Sequence, residues 1–124
     1  DVMTQAILAL AGKGEIQRLV ALAANVCRPD KYAGKRKKGR LRGALWMEMR
    51  LDVAAETAIQ VSTHDISLGG VGFWSRTKKL EAGDILYLRD CTDGNLHPWL
   101  KVRVTHCING LKGFLVGGEF VCDK

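Results

Sequence analysis

Long apolar runs, proline and paired cysteines are what this chain has least of. No apolar stretch approaches the roughly 20 residues that a membrane-spanning helix needs. The apolar start, Ile7 to Ala11, is too short for a secretory signal and lacks its basic flank. Cys27, Cys91, Cys107 and Cys122 form no C-x-x-C pair, and His64, His97 and His106 complete no ligand spacing, so no zinc or other metal site is expected. Scattered free thiols fit a reducing, cytoplasmic setting. Asp65 and Ser67 have no apparent histidine partner, and no other nucleophile–base pair stands out, which argues against an enzyme and against any resident cofactor. There are only two prolines, no internal repeat and no low-complexity segment. The first residue is Asp1 and not Met, as in a processed chain or an excised fragment.

What is present is ordinary in bulk and unusual in one place. The 124 residues suit one domain with a real core, and 47% hydrophobic with 26% charged residues is a globular composition. The net charge of +6 is local: six cations fall in Lys35-Arg36-Lys37-Lys38-Gly39-Arg40-Leu41-Arg42, and thirteen cations balance thirteen anions outside it. A concentrated cationic segment calls for an anionic partner.

Residues 1–27 read as an N-terminal helical segment. Val2, Ile7, Leu8, Leu10 and Ala11 give one apolar face, and Ile16, Leu19, Val20, Ala23 and Val26 give a second, with Gly12-Lys13-Gly14 expected to break or kink the run. Arg28-Pro29-Asp30 ends the helix, and residues 28–40 form an exposed basic linker. From residue 41 to 124 the period becomes that of strands. Leu41, Leu45, Met47, Met49 and Leu51 alternate, followed by Ile59 and Val61, Val71 and Phe73, Ile85 to Leu88, Leu100 to Val104 and Phe114 to Val121. Glu81-Ala82-Gly83-Asp84 and Asp93-Gly94-Asn95 are turns, and Asn109-Gly110 resembles a two-residue hairpin loop. Six strands at short spacing predict a mainly β, antiparallel sandwich or barrel.

Two segments carry candidate binding chemistry. Arg36-x-x-x-Arg40 sets two planar guanidinium forks before the first strand, able to hold phosphate, read the O6/N7 edge of guanine or stack on a base. The ordinary alternative is a solvated basic loop. Twenty-five residues after Arg40 comes Asp65-Ile66-Ser67-Leu68-Gly69-Gly70. In extended structure Asp65 and Ser67 share a face. The carboxylate can accept from guanine N1–H and N2–H₂, and glycines at 69 and 70 allow positive φ and close ligand approach. An Asp/Ser turn closed by glycine is the ordinary reading of that segment.

Together, R-x-x-x-R and D-x-S-x-x-G running into Val71-Gly72-Phe73 resemble the PilZ domain, a bacterial receptor for the second messenger cyclic di-GMP. The resemblance covers about residues 35–121, including Gly117-Gly118-Glu119-Phe120-Val121. It implies a six-stranded antiparallel Greek-key-like barrel behind the N-terminal helical segment. It also implies that Arg36 and Arg40 wrap the ligand, that Asp65 and Ser67 hold guanine and phosphate, and that Gly70 permits the turn. Lys35, Gly69, His106 and Gly117 are secondary candidates. His106 is either a base-stacking residue or an ordinary strand histidine. Lys35 stands where the family's ligand stoichiometry, one molecule or an intercalated pair, is decided, and that choice stays open. Such domains often carry a helix after the last strand, whereas this chain stops at Lys124. The N-terminal helices would then cover the barrel's open end, form a dimer or connect to another domain. Gly117-Gly118-Glu119-Phe120 also invites comparison with the G-G-[DE]-E-F loop of diguanylate cyclases, but one acid is missing and the apolar neighbours suit a final strand.

The functional expectation is a cytoplasmic cyclic di-GMP receptor without catalysis, whose basic loop orders around the ligand and changes contacts with a downstream protein or tethered domain. The alternatives are a small basic barrel that binds RNA or DNA, and a PilZ-like adaptor that binds protein alone.

Overall fold

The computed structural model describes residues 12–26, 28–29, 41–42, 45–51, 58–76, 80–111 and 113–122. Helix α1 spans Lys13–Val26. The helix begins within Gly12-Lys13-Gly14, the expected break, where the Gly12 carbonyl accepts from the Glu15 N–H at 3.2 Å. First-turn amides have no partner inside the helix, so glycine costs least there, and Glu15 complements the positive end of the helix dipole. Ile16, Leu19 and Ala23 recur on one face and join the same hydrophobic core as the strands. The first apolar face, Val2 to Ala11, lies outside the described residues.

Arg18 anchors the helix laterally. Its guanidinium donates to Glu15 Oε1 at 2.7 Å and to Asp90 Oδ2 at 2.9 Å. Asp90 is fully buried, and a buried carboxylate requires such a partner. The Glu15 hydrogen bond, with a smaller contribution from Asp90 and against the opposing effect of burial, raises the Arg18 pKa above its ordinary value.

Two short strands, β1 (Arg28–Pro29) and β2 (Leu41–Arg42), precede six longer ones: β3 (Trp46–Arg50), β4 (Ile59–Ile66), β5 (Gly70–Ser75), β6 (Ile85–Asp90), β7 (Leu100–Gly110) and β8 (Gly113–Phe120). The six run in the order β4-β3-β6-β7-β8-β5, and β5 pairs back onto β4, closing an antiparallel barrel. Because β3, β4 and β5 are successive neighbours and β6 lies beside β3, the connectivity is a Greek key, as expected. Alternation fills the interior with Met47, Met49, Val61, Phe73, Leu86, Leu88, Val102, Val104 and Val116. Among the described residues no helix is long and apolar enough to cross a membrane.

The turns at Glu81–Asp84 and Asp93–Asn95 form around Gly83 and Gly94, both at positive φ. The expected loop at Asn109-Gly110 does not. Asn109 pairs with Phe114 and Gly110 with Gly113, so the strand runs past the Asn-Gly pair and reverses after it. Gly113, at φ 122°, takes the left-handed position that the turn needs. The expected basic linker 28–40 is also not free at its ends: Arg28 and Pro29 pair with Arg42 and Leu41.

Trp99 is 1% exposed. It lies outside the central cluster, with the Arg89 guanidinium 4.4 Å and the Arg50 guanidinium 5.2 Å from its ring centroid. The two arginine planes desolvate the indole from outside, a contact that composition does not reveal.

Candidate functional site

The D-x-S-x-x-G segment is the hairpin turn between β4 and β5. The Ser67 N–H donates to the Gly70 carbonyl at 2.9 Å, and the Gly69 N–H donates to Ser67 Oγ at 3.3 Å. The Phe120 N–H donates to the Gly69 carbonyl at 3.0 Å, stitching the turn to the end of β8. Ser67 is nearly buried, yet a hydroxyl that accepts still carries a hydrogen to donate. Neither Gly69 nor Gly70 has the positive φ expected of it. Gly70 is required for another reason: a Cβ there would overlap the Gly118 carbonyl oxygen.

Asp65 stands just before that turn, after a β-bulge. Thr63 pairs with Phe73 and Asp65 with Gly72, leaving His64 as the extra residue. The bulge turns His64 and Asp65 to the outer side together, both half-buried, while Ile66 enters the core. His64 Nδ1 lies 2.8 Å from Asp65 Oδ2, so the expectation that Asp65 lacks a histidine partner is overturned. Sequence neighbours in a regular strand point apart, and only the bulge lets this pair meet.

A single row crosses the outer face of the barrel. Arg42 pairs with Asp65, Asp65 with Gly72, Gly72 with Gly117, and Gly117 with His106. Its middle two members have no side chains, and the outer two lean over them. The Asp65 carboxylate lies 3.0 Å from where a Gly72 Cβ would be, and the His106 ring covers Gly117 so closely that any Cβ would collide with it. A second bulge, between Val104 and His106, serves the far side. There Thr105 Oγ1 donates to the Gly117 carbonyl at 3.1 Å and sits 3.2 Å from His106 Nδ1. The result is a face whose two central positions are buried glycines, covered from one side by a carboxylate and from the other by an exposed imidazole. An Arg103–Glu119 pair at 2.9 Å borders one side. Trp74, Leu115 and Ile108, paired in the adjoining row, border the other.

The structure thus brings Asp65, Ser67, Gly69, Gly70, His106 and Gly117 to one face. Lys35, Arg36 and Arg40 lie outside the described residues. Leu41, which follows Arg40 directly, pairs with Ile66, between Asp65 and Ser67. The end of the basic run is therefore fixed against the D-x-S strand. Sequence reasoning missed Gly72, His64, Thr105 and Trp74 as members of this face. The available signal was glycine at outward strand positions, in Val71-Gly72-Phe73 and Val116-Gly117, where missing side chains mark close approach.

No protein-family model matches the sequence, and no curated relative matches it. Solved structures do. A PilZ domain of CeSA from a cellulose-synthesizing bacterium superposes with a TM-score of 0.53 at 22% identity, over 68% of this chain and 82% of that one. The fold is PilZ-like. The Bacillus subtilis inhibitor of motility (MotI/DgrA) is similar too, with a TM-score of 0.51 at 16% identity over 68% of this chain. This PilZ-like chain spans 42% of the length of that inhibitor.

One further grouping on the PilZ-like barrel has donor atoms close together: Asp90, Asp93 and His97, all within 4.8 Å. Its lone pairs already face protein donors. Asp90 takes Arg18 and the Thr92 N–H, and Asp93 takes the Asn95 N–H and His97. These contacts make it the scaffold of the 91–98 turn.

Proposed function

We propose that this domain is a cytoplasmic, non-enzymatic receptor for cyclic di-GMP. One observation carries the reading: β2, which follows Arg40 directly in sequence, pairs with the strand that bears Asp65 and leads into Ser67, beside the face where Gly72 and Gly117 replace larger side chains. Asp65 would accept from the guanine N1–H and N2–H₂ donors. Ser67 and the backbone at Gly69 and Gly70 would meet phosphate or a base edge, with Arg36 and Arg40 clamping from the basic run. His106, held flat on Gly117, offers its outer ring face for stacking. Closure of the basic segment over the ligand would change the surface read by a downstream protein, a tethered domain or a second copy. The fold shared with an inhibitor of motility suits such a regulatory role. Against a nucleic-acid barrel stands the balanced charge outside the run, which leaves little phosphate-tracking surface.

Calorimetry with cyclic di-GMP tests the proposal. The wild type is expected to bind at micromolar affinity or tighter. Arg40→Ala should weaken binding at least tenfold, the loss of one charge-assisted contact worth about 1.5–3 kcal/mol. Cyclic di-AMP should be rejected even at high salt, where a phosphate-only binder loses its affinity. A wild type that ignores cyclic di-GMP at high protein concentration overturns the reading.

A further inference from the structure

We infer that His64 is a positioning residue that fixes the carboxylate plane of Asp65 for base recognition. The inference deepens the receptor reading and rests on it. Its ground is geometric. The β4 bulge adds a residue whose only evident local effect is to put an imidazole beside Asp65, with Nδ1 2.8 Å from Oδ2. A carboxylate accepts only, so the proton of this contact sits on Nδ1.

Both sides of the imidazole are engaged. Against Asp65 it donates. Against Trp74 it packs edge-on, with centroids 6.0 Å apart and planes at 79°. The Trp74 ring is itself seated on the β7–β8 hairpin, where a Gly110 Cβ would lie 3.1 Å from its Cζ3. A chain of contacts therefore runs from the hairpin through Trp74 and His64 to the acceptor.

Recognition of guanine by a carboxylate requires two oxygens level with two donors on the base edge. The terminal torsion of an aspartate is broad and roughly two-fold, so the plane is not set by the side chain itself. A donor on Oδ2 sets it. A carboxylate oxygen has two lone pairs, so a His64 bond and a base contact are compatible on one oxygen. Adenine has no N1–H or N2–H₂ to offer, so a fixed plane favours guanine specifically and not purines in general.

Four proteins test the inference: wild type, His64→Phe, His64→Asn and Asp65→Ala, each titrated with cyclic di-GMP and with cyclic di-AMP after a thermal melt. Phenylalanine keeps a ring edge for Trp74 and removes the donor; asparagine keeps an N–H near the place of Nδ1. His64→Phe is expected to weaken cyclic di-GMP binding about tenfold and to narrow the preference over cyclic di-AMP, the cost of one charge-assisted hydrogen bond. His64→Asn should return to within about threefold of wild type, since it restores that bond. A histidine that merely packs would give the opposite order, with phenylalanine tolerated and asparagine not. That order, or a His64→Phe protein binding like wild type while Asp65→Ala does not bind, overturns the positioning role and leaves the receptor reading standing. A wild type that does not bind cyclic di-GMP overturns both.

Discussion

Two stretches of the same barrel wall are treated in opposite ways. On the outer side of β3 and β6, Glu48 pairs with Arg89 and Arg50 with Tyr87, and the returning chain lays Trp99 among them. Arg89 donates to Glu48 at 2.9 Å and covers the indole, and the wall is sealed. On the outer side of β5 and β8 the corresponding positions include Gly72 and Gly117, which carry no side chains and are covered by Asp65 and His106 from the neighbouring strands. Ladder and pleat are the same in both places. The candidate site is made by leaving side chains out of one wall and closing the other, so the sealed wall and the candidate site occupy separate faces.

Substitutions can break that separation, and the largest effect should come from the sealed wall. Trp99→Ala is expected to cost about 3–5 kcal/mol in urea unfolding, the loss of a buried aromatic with its arginine cover. Cyclic di-GMP affinity of the molecules that stay folded should not change. Gly70→Ala comes next: its Cβ would meet the backbone oxygen of Gly118, which cannot rotate away, for about 1–3 kcal/mol of destabilisation in the same assay. Gly117→Ala should act on the glycine wall in the opposite sense. The new methyl pushes the exposed His106 ring aside, with about 1 kcal/mol or less of stability lost because the displaced ring can move into solvent. Ligand affinity in calorimetry should nonetheless fall about tenfold or more, since the glycine face is raised. If Gly117→Ala proves as destabilising as Trp99→Ala, the two walls are not functionally distinct.

The smallest effect concerns acid. Asp93 lies in the turn that leads to Trp99, and the Asn95 amide first, then His97, lowers its carboxyl pKa below the ordinary aspartate value. A depressed pKa in the folded state means stability present above the unfolded value and lost as pH falls through the folded one. Asp93→Asn should therefore lower the neutral plateau of the unfolding midpoint slightly, leave its acid end unchanged and so flatten the acid limb.

Much of the barrel could be read from residue types, because alternation and turn glycines are local signals. Met47 and Met49, Leu86 and Leu88, Val102 and Val104 point inward as their period requires. Gly83 and Gly94 take the positive φ that their turns demand. The failures share a cause: each depended on a partner distant in sequence or on a break in the period. The Asn109-Gly110 pair is overruled by strand pairing with Phe114 and Gly113. Trp99 is buried by two arginines from other strands, and His64 reaches Asp65 only through a bulge that no alternation pattern announces. Of the candidate site, the D-x-S-x-x-G turn and Gly117 were legible and Gly72 was not, since a missing side chain has no propensity of its own.

The two short strands have a consequence for how tightly an anion can be held. Pairing of Arg28 with Arg42 and of Pro29 with Leu41 brings the two ends of segment 30–40 together before any ligand arrives. On the proposed receptor reading, holding both flanks of the segment in place raises the effective concentration of its cations at the candidate site. Lengthening the segment should then be tolerated, because closure entropy rises by only about 0.6 kcal/mol per doubling of length. Unzipping the two-pair ladder should be far more damaging to capture than any insertion within it.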